Sequence, residues 1–231
     1  MKTNLKNIWG MAKVSLKQSK TAYWIAGIAL ALGVAQLLVL IAVVSEPGNV
    51  GFSVANYLIV LPFFMAILIP ARQFSRMMNL GGKRRDFFWA CLPVYAAAAF
   101  AVSLAGVLLT VTLDTRVFGQ AGFLNLWRVF GFMKHGPVAA FFQMGAFLLF
   151  LACAAHTLTL IQDRWYGLAA DALIIAVVSV FTPIAPLRSA LAWFFKMIIF
   201  HDSAIAQIVS CLFVAALVYG ASLFAVRRKA I

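Results

Sequence analysis

Residues 138–161 read VAAFFQMGAFLLFLACAAHTLTLI. The stretch holds no Asp, Glu, Lys or Arg, and its one histidine is His156. An α-helix rises 1.5 Å per residue, so a run of this length spans roughly 36 Å and crosses a hydrocarbon core of roughly 30 Å. Working outward, five further runs pass the same test, at about 22–44, 55–71, 87–113, 166–186 and 204–226. The expected fold is all-α, a polytopic membrane protein of six transmembrane helices. The whole composition agrees: 65% of the 231 residues are hydrophobic and 11% are charged. A soluble domain carries about 25% charged residues, so a soluble globular enzyme is excluded. Disorder is excluded by the abundance of apolar surface to bury. No polar stretch is long enough for a second domain, so residues 1–231 form a single transmembrane domain.

The formal net charge is +13, with 19 Lys and Arg against 6 Asp and Glu. These charges lie at the ends of the apolar runs, which points to orientation in a bilayer rather than to nucleic acid. With the N-terminus inside, the cytoplasmic segments hold 14 basic residues (Lys2 to Lys20, Arg72 to Arg85, Arg164 and Arg227 to Lys229), and the outer loops hold 5. The positive-inside rule therefore predicts both termini in the cytoplasm. The tryptophans Trp9, Trp24, Trp89, Trp127, Trp165 and Trp193 fall at or beside span ends, where an amphipathic indole prefers the interface. The first run is too long for the apolar region of a signal peptide and is expected to be retained.

Three segments outside the spans are patterned. Residues 1–21 place Leu5, Ile8, Trp9, Ala12 and Leu16 on one helical face with lysines largely elsewhere, a basic amphipathic helix for the inner leaflet. Phe123, Leu126, Trp127 and Phe130 recur at helical spacing in the loop after the third run. After Thr182-Pro183 and Pro186, an apolar stripe runs through Leu187, Leu191, Phe194, Phe195 and Ile198. With Arg188 and Lys196 inside it, this last piece is expected to dip into the outer leaflet as a re-entrant helical segment between spans 5 and 6. The membrane domain is expected over 22–226, with a basic cytoplasmic tail at 227–231.

Candidate chemistry is sparse. Cys91, Cys153 and Cys211 sit inside apolar runs without a C-x-x-C pair and read as small buried hydrophobes; no metal site is expected. His156 and Asp171 are the ionisable residues within spans. They are expected to form a polar network with Gln162, Asp163 and Arg164 that ties spans 4 and 5 together, or else to serve function directly. A proton relay needs a carboxylate near mid-membrane, and none is present there. Gln36, Asn56, Gln143 and Gln207 read as interhelical hydrogen-bonding groups, and Ala29-x-x-x-Gly33 and Ala96–Ala99 with Ser103 and Gly106 as small packing faces. Gly51-Phe52-Ser53 approaches the nucleophile region of an intramembrane serine protease but lacks the following glycine. Glu46 is the chain's one glutamate, H-E-x-x-H is absent, and Gly81-Gly82-Lys83 lacks the rest of a phosphate loop, so the chain by itself is not expected to hydrolyse ATP.

The informative segment is RQFSRMMNLGGKRRDFF, residues 72–88. Its charges anchor topology, yet it is also ordered. An apolar knob (Met77, Met78, Leu80) precedes a bend at Gly81 and Gly82 and the triplet Lys83, Arg84 and Arg85. Asp86 stands at the expected N-cap of the third span.

This arrangement resembles the membrane subunit of type-2 ABC exporters. There an amphipathic helix precedes span 1, a segment like L-G-x-x-R-x-x-F between spans 2 and 3 is the coupling element, and an outer re-entrant pair lies between spans 5 and 6. Leu80 through Phe88 approximates that motif, counting Arg85 as its basic residue. The resemblance implies coupling of residues 77–86 to two separate ATPase subunits that carry ATP and Mg, with no cofactor in this chain. It also implies a second membrane subunit, identical or not, and an outer gate at Leu187, Leu191, Phe194, Phe195 and Ile198. The expected setting is the plasma membrane of a bacterial cell. Sparse intramembrane polarity and 21 phenylalanines point to an apolar or amphipathic cargo such as a peptide toxin, antimicrobial peptide or drug. The alternatives are a secondary transporter, an intramembrane hydrolase or a membrane anchor for a signalling partner.

Overall fold

A computed structural model describes residues 5–43, 51–114, 123–162 and 165–228. Apolar runs become helices because lipid offers no partner to a backbone N–H or C=O, and a helix satisfies both internally. Helix α1 covers Leu5–Gln18 and α2 Lys20–Val43. Helix α3 covers Val54–Asn79 and α4 Arg84–Asp114. A short α5 (Leu126–Val129) and a 3-10 turn (Phe132–His135) lead into α6, Pro137–Ile161. Then come α7 (Trp165–Phe181), α8 (Ala185–Ile198) and α9 (Ala204–Arg228). Helices α2, α3, α4, α6 and α9 are each long and apolar enough to cross a membrane, and α7 with α8 forms a sixth candidate bent by 117°. The protein is an all-α, multi-pass membrane protein.

Several boundaries differ from the sequence reading for local reasons. The second span does not stop at residue 71. It continues as helix to Asn79 through a π-turn at Ile69–Gln73, where Pro70 lacks the N–H that the ordinary ladder needs. The fifth run ends at Phe181 rather than 186, because Pro183 breaks the helix, and α8 begins two residues before Leu187. Phe123 is not helical. Phe123–Leu124 (β2) pairs in parallel with Gly51–Phe52 (β1), a two-residue ladder that satisfies loop backbone. Helix α9 runs through Arg228, so the start of the expected basic tail is helical. The remainder of that tail, Glu46, Asp163, Arg164 and Arg116 lie outside the described residues.

Helix α6 is the centre of the bundle, packed between α9, α4 and α3, while α2 lies against α3. Between lipid-embedded helices there is no net hydrophobic drive, so close approach at small residues decides which helices meet. A Cβ on Gly145 of α6 would sit 2.5 Å from the Phe100 ring of α4, and one on Gly33 of α2 would sit 2.6 Å from Tyr57 of α3. The Trp127 indole lies directly on Gly106 of α4. Trp127 is consequently fully buried, a core residue rather than an interfacial one, whereas Trp9, Trp24, Trp89, Trp165 and Trp193 are exposed.

Helix α1 forms as expected but divides its face differently. It docks on α4. Ala12 and Ser15 are buried, Ile8, Met11 and Leu16 pack on the core, and Leu5 and Trp9 stay exposed. The Gln73 amide reaches the Ser15 carbonyl and the Ser19 hydroxyl at 3.4 Å, fastening α1 to the π-turn of α3.

Candidate functional site

The turn between α3 and α4 is built by its own hydrogen bonds. Gly82 N–H donates to the Met77 carbonyl at 2.9 Å and Gly81 N–H to the Met78 carbonyl at 3.0 Å, the paired bonds of a Schellman helix end. Gly81 takes φ +82°, open to glycine without steric cost. At Gly82 a Cβ would meet the Met77 carbonyl oxygen at 2.7 Å and the Met11 methyl of α1 at 2.9 Å. Both glycines are therefore required by the turn itself.

Two expectations for this turn are corrected. Met77 and Met78 do not form an exposed knob; both are buried against the bundle, and Leu80 alone of the three projects, 78% exposed. Asp86 is not the N-cap of α4. That position is Lys83, whose side chain makes no capping bond, and Asp86 stands in the first helical turn, buried. A carboxylate there still faces the positive end of the helix dipole. Phe74 and Phe87 close the base of the turn edge to face, with ring centroids 5.3 Å apart. The outcome is a rigid loop that presents one apolar side chain among exposed Arg76, Lys83 and Arg85, with Arg84 half-buried. Beside it, Val14, Lys17, Gln18, Lys20 and Arg76 line a cleft of about 460 Å³ between α1 and the end of α3. Helix α1 and the turn thus make one continuous basic surface.

Between α4, α6 and α9 lies a half-open apolar cavity of about 300 Å³ lined by Phe88, Leu92, Leu149, Cys153, Leu212 and Tyr219, among others. Behind Tyr219, which lines it, runs a polar seam that sequence reasoning missed. Tyr95 Oη and His156 Nδ1 are 2.8 Å apart. The His156 ring lies 5.1 Å from that of Tyr219, whose hydroxyl donates to the Phe88 carbonyl at 2.5 Å. Nothing but a tyrosine at helical register among many aromatics signalled this arrangement. His156 thus joins α4, α6 and α9. Asp171 belongs to a different contact, accepting from the Gln162 amide at 3.1 and 3.0 Å across the α6–α7 corner. That bond ties the ends of the fourth and fifth runs together without His156, so His156 and Asp171 do not share the one network expected of them, and Asp163 and Arg164 lie outside the described residues.

A second cluster sits at the opposite end of α3 and α4. The Ser53 hydroxyl caps α3 by accepting from Ala55 N–H and donates to Asp114 Oδ1 at 3.2 Å. Asn125 Nδ2 donates to Asp114 Oδ2 at 2.5 Å and to Thr110 Oγ1 at 2.7 Å, while its Oδ1 caps α5 at Trp127 N–H. Asn56 donates to the Leu124 carbonyl at 2.6 Å and accepts from Leu126 N–H. Ser53, Asp114 and Asn125 are all buried. The signals available were Asp114 closing an apolar run and Asn125 preceding Leu126-Trp127 as a cap. Ser53 is engaged by a carboxylate and an amide, while His156 is engaged by a phenol, so the two are held by different partners.

The remaining single polar residues divide. Gln36 bonds Tyr57, and Gln207 donates to the Ile198 carbonyl at 2.8 Å, both between helices. Gln143 is buried, but its Oε1 has no hydrogen-bond partner among the described residues. Of the expected gate residues, Ile198 is buried, Leu187 and Leu191 are half-buried, and Phe194 and Phe195 are exposed on α8. The three cysteines are free and buried, and no cluster of metal-ligating residues occurs among the described residues. Comparison with protein-family models, with curated proteins and with solved structures returned no match for this chain.

Proposed function

We propose that this chain is the membrane subunit of an ATP-driven exporter for an amphipathic or hydrophobic cargo, moved by separate ATPase subunits that grip the Met77–Asp86 turn. One observation carries the reading: the exposed Leu80, on a turn that also exposes Arg76, Lys83 and Arg85 and that its backbone and the buried Met77 and Met78 lock to the bundle. A rigid turn transmits force where a flexible anchor dissipates it. The Ser53–Asp114 bond joins the far ends of α3 and α4, so the two helices behave as one lever from the turn to the opposite end.

In this reading the turn faces the cytoplasm, both termini lie inside, and α7–α8 dips in from the outer side. A second membrane subunit completes the pathway in the plasma membrane. ATP and Mg act on the partner; this chain contributes the grip and the route. Cargo preference follows from the cavity by Leu149, Leu212 and Tyr219, whose lining suits apolar surface. Coupling requires that the partner's contacts with Leu80 and Arg85 differ between its open and closed states, because equal contacts shift no equilibrium.

The test is capture of partners from detergent by the full chain, with the bound proteins identified by mass. Wild type should retain an ATPase, and Leu80→Asp with Arg85→Glu should lose it while inserting normally. Full cargo movement by the isolated chain in vesicles without nucleotide overturns the reading.

A further inference from the structure

At the end of the bundle opposite the basic turn, a cavity of about 340 Å³ is lined by Arg128, Lys134, His135, His201 and Asp202 together with Val129, Phe130, Gly131 and Phe200. Its size lies in the range that takes small ligands and headgroups. Four of its side chains are basic and one is acidic. Arg128 and Lys134 against Asp202 leave the cavity net positive even with both histidines neutral, and among the described residues neither Arg128 nor Lys134 has an ion-pair partner. Basic groups gathered in excess of the one carboxylate beside them repel one another, and an anion relieves that repulsion.

The walls are fixed rather than mobile loop. Trp127 and Phe132 are fully buried on either side of the turn that carries Arg128, and Gly131 and Gly136 both take positive φ so that the chain can double back between them. Phe130 packs edge-on to Phe132, Phe147 and Phe200, and the last of these contacts joins the α5 wall to the segment before α9. His201 Nδ1 accepts from Ser203 N–H at 3.0 Å, which leaves the imidazole proton on Nε2 and makes His201 a donor. Arginine, lysine and two imidazoles form the donor set that suits a tetrahedral oxyanion. Val129 and Phe200 are about half exposed beside these donors, an apolar flank next to a cationic mouth at the end of the helices.

We infer that Arg128, Lys134, His135 and His201 form a binding site for a phosphate-bearing anion, supplied either by the headgroup of an anionic phospholipid or by a soluble phosphate. The site does not depend on the ATPase reading.

The full chain in detergent tests it. Binding of short-chain phosphatidylglycerol, short-chain phosphatidylcholine and inorganic phosphate is measured by native mass spectrometry and thermal shift. Wild type should bind phosphatidylglycerol more tightly than phosphatidylcholine. Arg128→Gln with Lys134→Gln should weaken that binding about tenfold or more, while Lys17→Gln with Lys20→Gln, in the separate cleft by α1, should leave it within about twofold. Binding of inorganic phosphate with the same dependence on Arg128 and Lys134 assigns the site to the phosphate group itself; binding of the lipid alone assigns it to the headgroup in its bilayer setting. Either supports the inference. If the double variant melts early, His201→Gln and Lys134→Gln singly provide the readout. Phosphatidylglycerol and phosphate binding that are unchanged in all these variants overturn it.

Discussion

Helices α6 and α7 are neighbours in the chain and similar in composition, yet they occupy opposite environments. Along the most apolar stretch of α6, 61% of residues are buried inside the protein. On α7 only Gly167 is buried, while Leu168, Leu173, Ile175 and Val178 are exposed. The contrast teaches that apolar character puts a helix in the membrane but does not choose its neighbours. Helix α6 carries Ala140, Gly145, Ala146, Ala152 and Ala155, which let α4 and α9 approach closely. Helix α7 has its buried glycine against the α6–α7 corner alone, where a Cβ would strike the Ile161 carbonyl.

This contrast is most directly broken by truncation. Leu148→Ala, in the centre of α6, should cost about 2–5 kcal/mol, read as loss of thermal stability in micelles, and Leu173→Ala on α7 should stay within about 0.5 kcal/mol. Equal losses at the two sites would remove the distinction. Overfilling sharpens it from the other side: Gly145→Leu forces the Phe100 ring aside and should cost about 1–3 kcal/mol in the same assay. The cap that holds the ends of α3 and α4 comes next. Asn125→Ala strips Asp114 Oδ2 and Thr110 of a donor and should cost about 1–3 kcal/mol, with faster hydrogen exchange at the start of α3 as its local signature. Smallest of all, Gly220→Ala on α9 meets nothing within 4 Å and should stabilise by up to about 1 kcal/mol. A loss at Gly220 would mean that the open space beside it is filled when the protein is assembled.

Run length and breakers made most of the helix inventory legible, including the stop at Thr182-Pro183. Side-chain direction was less accessible. Met77, Met78 and Leu80 fall within four residues and are all apolar, but the helix turn sends the first two into the bundle and the third outward. Asp86 looked like a cap because it precedes an apolar run, whereas α4 begins two residues earlier at Arg84. Trp127 looked interfacial because it lies outside a span; Gly106, 21 positions earlier in the chain, supplies the flat surface that buries it. The Ser53–Asp114–Asn125 cluster unites three segments, and no local spacing announces such a meeting.

What the sequence determined by itself is the solvent: long uncharged runs cannot be hydrated cheaply, so they enter lipid as helices, with charges marking their ends. Which helix lies at the centre, which methionine is hidden and which polar groups find one another was decided only in three dimensions. In lipid, association rests on shape and hydrogen bonding between surfaces, and these exist only once two helices are placed side by side.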